Sequence, residues 1–183
     1  MTQDVELRVP DHAMLPFYVA ALEAGWSPSN TRDISGIQLA AIRADPDAFL
    51  SSVHEQPGAP LTLADGTTVA RLPGPTFWIW DGAFCGSINL RYQAGTLDLP
   101  PHVSGHVGYA VVPSKRGQGI ATQALRLILP IAAARGLSRV LVTCDVDNVG
   151  SRRVAERAGG AYAGTAPAPE HGSSKLLFWL ATG

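Results

Sequence analysis

The sequence predicts a mixed α/β sheet with helices packed on it. Three observations carry that expectation. Strand-like and helix-like runs alternate through the middle of the chain, from Val107 to Ala158. Antiparallel hairpins flank that region, marked by the turn signal Asp81-Gly82 between two apolar runs. The chain has 183 residues, 46% of them hydrophobic and 16% charged, which suits one domain, 1–183, with a sizeable core.

Val5 to Val9 alternates apolar and charged residues and reads as a short strand. Asp11 then offers a cap for a helix to about Ala24, with Leu15, Tyr18, Leu22 and Trp26 on its apolar side. A second helix is expected over Ile34–Ile42, with Pro46 at or beyond its end. Residues 54–75 read as irregular, apart from a short strand near Thr67–Arg71. Phe77–Trp80 and Phe84–Tyr92 form the hairpin. In a regular strand Phe84, Gly86, Ile88 and Leu90 share one face, and Cys85, Ser87, Asn89 and Arg91 the other. Val107–Val112 is a third strand. Ala121, Leu125, Ile128 and Ala132 mark one face of a helix that Pro130 should disturb and Gly136 should end. Val140–Cys144 is a continuous apolar strand, Ser151–Ala158 a short helix, and Ala161–Gly164 and Leu176–Leu180 the last strands.

Lysine and arginine number 14 against 15 acidic residues, a formal net charge of -1. No basic footprint for nucleic acid is present, so none is expected as a partner. The two cysteines, Cys85 and Cys144, fall in strand-like runs and are expected to be reduced, as in a cytoplasmic protein. The start MTQDVELRVPDH has neither an apolar core nor a basic leader, so no signal peptide is expected. No run reaches the roughly 18 apolar residues of a membrane span. His54, His102, His106 and His171 show no metal-ligand spacing, and no metal is expected.

The segment Tyr109–Thr122 carries the chemistry. A strand stops at Pro113, and a turn with Gly117 and Gly119 leads into a helix. Glycines let the backbone turn sharply and present successive amide hydrogens, and a helix amino end adds positive bias. Together these suit a pyrophosphate. Arg116 and Lys115 can add contacts from the rim. The alternative is a glycine turn with no ligand. The segment lacks the Gly-Lys-Ser/Thr ending of a nucleotide-triphosphate loop, and Thr122 stands where a dinucleotide fingerprint needs its third glycine.

This stretch resembles the central motif of the GCN5-related N-acetyltransferase (GNAT) superfamily, Arg/Gln-x-x-Gly-x-Gly/Ala. Arg116, Gly119 and Ala121 fill its fixed places. A second block, Asn148-Val149-Gly150-Ser151 leading to Glu156 and Gly159-Gly160, is similar to the family's Asn-x-x-Ser…Glu-x-x-Gly. The likeness is good over roughly residues 76–160. It implies a GNAT-like acyl-CoA N-acyltransferase fold, a mostly antiparallel sheet with splayed central strands. It implies acetyl-CoA as co-substrate, held by backbone groups near Val111 and Val112 and by Arg116, Gly117, Gln118, Gly119, Ile120, Ala121 and Thr122. Asn148 and Ser151 are further candidate contacts, although Asn148 is equally suited to cap a helix. Dimers are common for this fold, so a homodimer is compatible with the resemblance.

The implied reaction is direct attack of a neutral amine, on a small molecule or a peptide, on the thioester. That needs proximity, an oxyanion donor and a proton acceptor. Two departures from the family pattern matter. His106 stands where many relatives carry Glu, and it is the candidate base; the alternative is a hydrogen-bonded structural imidazole. Ala155 stands where many relatives carry the tyrosine acid, so Ser151 is a candidate for a water relay and Tyr109 and Cys144 are other donors. Arg91 is a candidate for an acidic group on the substrate, against a plain surface arginine. His102, in the neighbouring loop, is a weaker candidate on the acceptor side. A non-catalytic acyl-CoA binder or sensor is the alternative function.

Overall fold

The computed structural model describes residues 4–54, 60–63, 65–168 and 173–183. Its elements run β1 (Glu6–Arg8), α1 (Leu15–Glu23), α2 (Ser35–Ala44), α3 (Pro46–Val53), β2 (Leu61–Thr62), β3 (Thr68–Val69), β4 (Thr76–Trp80), β5 (Phe84–Leu90), β6 (Val107–Val111), a 3-10 turn (Pro113–Lys115), α4 (Ile120–Ala133), β7 (Arg139–Asp145), α5 (Val149–Arg157), β8 (Ala161–Ala168) and β9 (Ser173–Ala181). His171 lies outside the described residues.

β1, β4, β5 and β6 form one antiparallel sheet in that order, and β7, β9 and β8 form another. β6 and β7 lie side by side where the two sheets meet, without a ladder between them. One core lies on the α4 and α5 side, built on Ile88, Leu90, Val107, Leu125, Ile128, Val140, Val142 and Phe178. The opposite core carries α1 and α3 on Trp78, Phe84, Ala110 and Val112. There the Tyr18 ring stacks on Trp78 at 4.6 Å and meets Trp26 and Phe84 edge-on. Such pairs contribute about 0.5–1.5 kcal/mol each beyond area burial. They fix α1, and hence the loop after it, against the sheet.

One expectation needed correction, and others gained detail. The face assignment in β5 breaks at Cys85. Trp80 pairs with Phe84 but Ile79 pairs with Gly86, so Cys85 is an extra residue. This bulge turns Phe84 to the α1 side, while Ile88 and Leu90 face α4. Gly86 follows at φ +143°, and a Cβ there would lie 2.1 Å from the Ala110 carbonyl oxygen. Pro46 follows the end of α2, as expected, and it also starts the next helix. Asp45 accepts from the Ala48 N–H at 2.9 Å, and Pro46 takes the first turn, where its missing N–H costs nothing. Within the irregular stretch, Leu61–Thr62 and Thr68–Val69 pair as a small hairpin. Pro130 sits within a helix that runs on to Ala133.

Candidate active site

β6 and β7 join at one end. The His106 N–H donates to the Leu141 carbonyl at 2.8 Å. The Leu141 N–H donates to Nδ1 of His106 at 2.9 Å. Beyond that clasp no further bond joins the two strands among the described residues, and they diverge into a wedge.

The ladder between β5 and β6 decides which peptide groups line the wedge. Arg91 N–H donates to His106 O at 2.7 Å and Val112 N–H to Cys85 O at 2.9 Å. In an antiparallel ladder alternate residues turn to alternate sides. Gly108, Ala110 and Val112 therefore turn their peptide groups to β5, as the His106 carbonyl does, and Tyr109 and Val111 turn theirs into the wedge. Of the two residues expected at this edge, Val111 qualifies. Val112 needs correction: its N–H is held by Cys85, its carbonyl accepts from Lys115 N–H at 3.0 Å, and its side chain is buried.

Two side chains already meet the wedge edge. Asn30, in the loop between α1 and α2, donates its Nδ2 to the Tyr109 carbonyl at 2.7 Å. Arg116 Nε donates to the Val111 carbonyl at 3.0 Å. Asn30 has no local sequence signal, because its partner lies 79 residues away.

At the open end of β6 the chain passes through the 3-10 turn into the glycine loop. Gly117 and Gly119 have φ of +74° and +80°, the left-handed region that glycine adopts without strain. No Cβ would clash at either, so backbone geometry alone selects glycine. The first intrahelical bond is Gln123 N–H to Gly119 O. The N–H groups of Gly117, Gln118, Gly119, Ile120, Ala121 and Thr122 have no partner among the described residues. They gather at the amino end of α4, which has no side-chain cap. This run fits the pyrophosphate of coenzyme A. Gln118 folds its amide onto the Ser114 carbonyl at 2.9 Å. Lys115 needs correction as a rim contact. Its Nζ lies 2.6 Å from the buried Asp81 carboxylate, in the turn between β4 and β5. Arg116 remains exposed beside the loop.

On the α4 and α5 side, Tyr109 projects beneath the wedge. Its hydroxyl is buried with no hydrogen-bond partner among the described residues. Burial pushes its pKa up, the neighbouring Ser151 hydroxyl opposes this, and Cys144 adds to it. Cys144 is likewise raised, first by burial and then by Asp145. Asn148 caps α5, accepting from Ser151 N–H at 3.0 Å. Ala155 is fully buried and packs in the core.

The other face holds His106, Arg91 and Asn89. His106 is fully buried. Its Nδ1 accepts from Leu141, so the neutral ring carries its proton on Nε2, which has no partner among the described residues. Burial lowers its pKa, Arg91 lowers it further, and the Leu97 carbonyl works the other way. With its acceptor nitrogen committed, this imidazole favours the structural alternative over the base. His102 is half-buried, with Nε2 unpartnered among the described residues and no bond to Arg91 or His106.

The model of the family described as "Acetyltransferase (GNAT) domain" matches residues 28–161. No curated protein matches the sequence. Several solved structures share the fold. Mycobacterium smegmatis RimJ in complex with CoA-disulfide is 20% identical, with a TM-score of 0.65 over 97% of this chain and 81% of that one. An acetyl transferase from Salmonella typhimurium that modifies the N-terminal serine of a 50S ribosomal subunit protein is 18% identical, with a TM-score of 0.61 over 97% and 94%. The microcin C7 self-immunity acetyltransferase MccE, in complex with acetyl-CoA and AMP, is 15% identical, with a TM-score of 0.59 over 97% and 92%. At these identities the likeness is one of fold, whereas the family match spans most of the chain. The wedge, the open edge of β6 and the unpartnered amides before α4 belong to a member of the GNAT acetyltransferase family, an acetyl-CoA-dependent enzyme.

Proposed function

We propose that the chain is a single domain, 1–183, that transfers acetyl from acetyl-CoA to a primary amine by direct attack. The unpartnered N–H run from Gly117 to Thr122 carries this reading, because it follows directly on the open edge of β6 at Tyr109 and Val111. The loop holds the pyrophosphate, with Arg116 adding a charge from the rim. The wedge-facing Tyr109 and Val111 amides supply donors for the arm and for the thioester carbonyl, where negative charge develops. Asn148 and Ser151 flank the same region from the start of α5. Acetyl-CoA supplies the activated acyl group, and the residues orient it.

Proton handling falls to the pair beneath the wedge. Tyr109 takes the role left open at Ala155: its buried hydroxyl lies beside that of Ser151 and keeps its proton at neutral pH. It protonates the departing thiolate, with Ser151 relaying through water. His106 holds the wedge closed at one end, and solvent entering from the α1 side accepts the amine proton. Relatives that acetylate a protein terminus or bind acetyl-CoA with AMP are compatible with small and peptide acceptors alike.

The committed His106 nitrogen and the buried Ala155 favour a second reading, a non-catalytic acyl-CoA sensor. Thiol release from acetyl-CoA across an amine panel, with acetylated product identified by mass, separates the two. Tight acetyl-CoA binding without turnover of any amine would leave the sensor. A coenzyme A dissociation constant that does not respond to substitution at Gly119 would remove both.

A further inference from the structure

Arg91 is a permanent charge with no partner among the described residues. It follows the end of β5 and is half-buried. Among the described residues its buried Nε has no hydrogen-bond partner and its guanidinium makes no ion pair. Arginine does not discharge near neutral pH, so this cation cannot escape by losing its proton. Burial and the like charge of Arg71 both act against its charged form. A half-buried charge without a counter-ion is costly, and folds normally provide one. This chain does so elsewhere: Lys115 has Asp81 and Lys175 has Asp145.

The position of the guanidinium is informative. Arg91 N–H bonds to His106 O, so its side chain and those of Asn89 and His106 share the sheet face away from α4. Gly108 lies opposite Asn89 on that face. A Cβ on Gly108 would stand 2.8 Å from Asn89 Oδ1 and 3.3 Å from Arg91 Nη2. The missing side chain thus leaves the space where the guanidinium and the amide converge. Asn89 makes no side-chain hydrogen bond among the described residues either. The residue after Gly108 is Tyr109, whose peptide faces the wedge, about 3.8 Å further along the strand. A charged anchor and the first reacting-edge amide are therefore one residue apart.

We propose that Arg91, with Asn89 beside it, is the acceptor anchor, and that the amine belongs to a small molecule that also carries a carboxylate, a free amino acid or close analogue. The proposal rests on the N-acetyltransferase reading above and names its substrate class. A single planar fork matches the two oxygens of one carboxylate. The short step from Gly108 to Tyr109 suits an amine and a carboxylate separated by one or two carbons. A protein terminus meets the same anchor only when it offers an acidic side chain.

The test compares acetylation of matched amino acids and amino acid amides, alongside peptides beginning with Asp or Glu. For the wild-type protein, kcat/KM for the acids exceeds that for the amides by at least about tenfold, equivalent to about 1.4 kcal/mol. Arg91→Met brings the ratio to about one by raising KM for the acid, with KM for acetyl-CoA unchanged. Arg91→Lys retains part of the preference, since charge without the fork remains. Amine turnover with no acid-over-amide preference, or a preference that survives Arg91→Met, overturns the anchor and leaves the transferase standing. Turnover of the acidic peptides with none of the amino acids overturns the small-molecule class. Acetyl-CoA binding with no turnover of any amine overturns the transferase reading and the anchor with it. If Arg91→Met does not fold, the wild-type ratio alone decides.

Discussion

His106 and Leu141 grip each other twice, backbone to backbone at 2.8 Å and backbone to Nδ1 at 2.9 Å. The imidazole stands in for a missing rung of a sheet. Protonation would place N–H against N–H and break the second bond. With its folded pKa lowered, the unfolded chain binds the proton more readily, so stability is full above the ordinary histidine value of about 6.5 and declines as pH falls below it. We expect a slope of up to about 1.4 kcal/mol per pH unit just below that value, lost in His106→Gln. Denaturant titrations of both proteins across pH 5–7.5 check this. Equal slopes would contradict it.

Gly119 is expected to be the most sensitive position for the donor. Gly119→Ala meets no neighbouring atom, so its cost is the left-handed backbone, about 1–2 kcal/mol. Gly119→Glu adds a negative charge to the anion site, and the dissociation constant for coenzyme A should rise at least about tenfold more than in Gly119→Ala. Calorimetry on both variants decides the point.

Lys115 and Arg116 are neighbours with opposite expected phenotypes. Lys115→Met leaves Asp81 buried without its cation and should lower stability by about 2–3 kcal/mol. Its coenzyme A affinity should stay within about twofold of wild type. Arg116→Met should weaken coenzyme A binding about fivefold and barely change the melting temperature. Exchange of these two outcomes would return Lys115 to the phosphate rim.

Tyr109→Phe removes a buried hydroxyl with no partner among the described residues, so it should not cost stability. It should lower kcat at least about tenfold and leave KM for acetyl-CoA unchanged. Ser151→Ala should have a smaller effect in the same direction. Unchanged turnover in Tyr109→Phe would remove it as the proton donor.

Gly86→Ala should be among the least tolerated changes in the sheet. The new methyl would meet backbone, the Ala110 carbonyl oxygen at 2.1 Å, at a φ of +143°. Loss of more than about 3 kcal/mol, or failure to fold, is expected by thermal melting.

The parts of the site that were legible in the sequence are local. The glycine loop before α4 and the Asn148 cap each depend on residues within a few places of one another, and their chemistry is written in residue type. The illegible parts are contacts between distant segments. Nothing near Asn30 announces its bond to Tyr109, and nothing near Lys115 announces Asp81. The bulge at Cys85 escaped because alternation assumes one residue per rung. Asp45-Pro46 was legible in principle, since that pair opens helices as readily as it follows them.

Among the described residues β6 and β7 are hydrogen-bonded through one residue pair, so the backbone of each sheet is bonded almost entirely within its own half. A guest lying along Tyr109 and Val111 would suture the halves. It would act as a structural member as well as a reactant, and resistance to unfolding would climb with its concentration by the usual mass-action law. Starved of that guest, the protein should breathe first along this seam, with amide hydrogens of Tyr109 and Val111 exchanging ahead of those of Gly108 and Ala110.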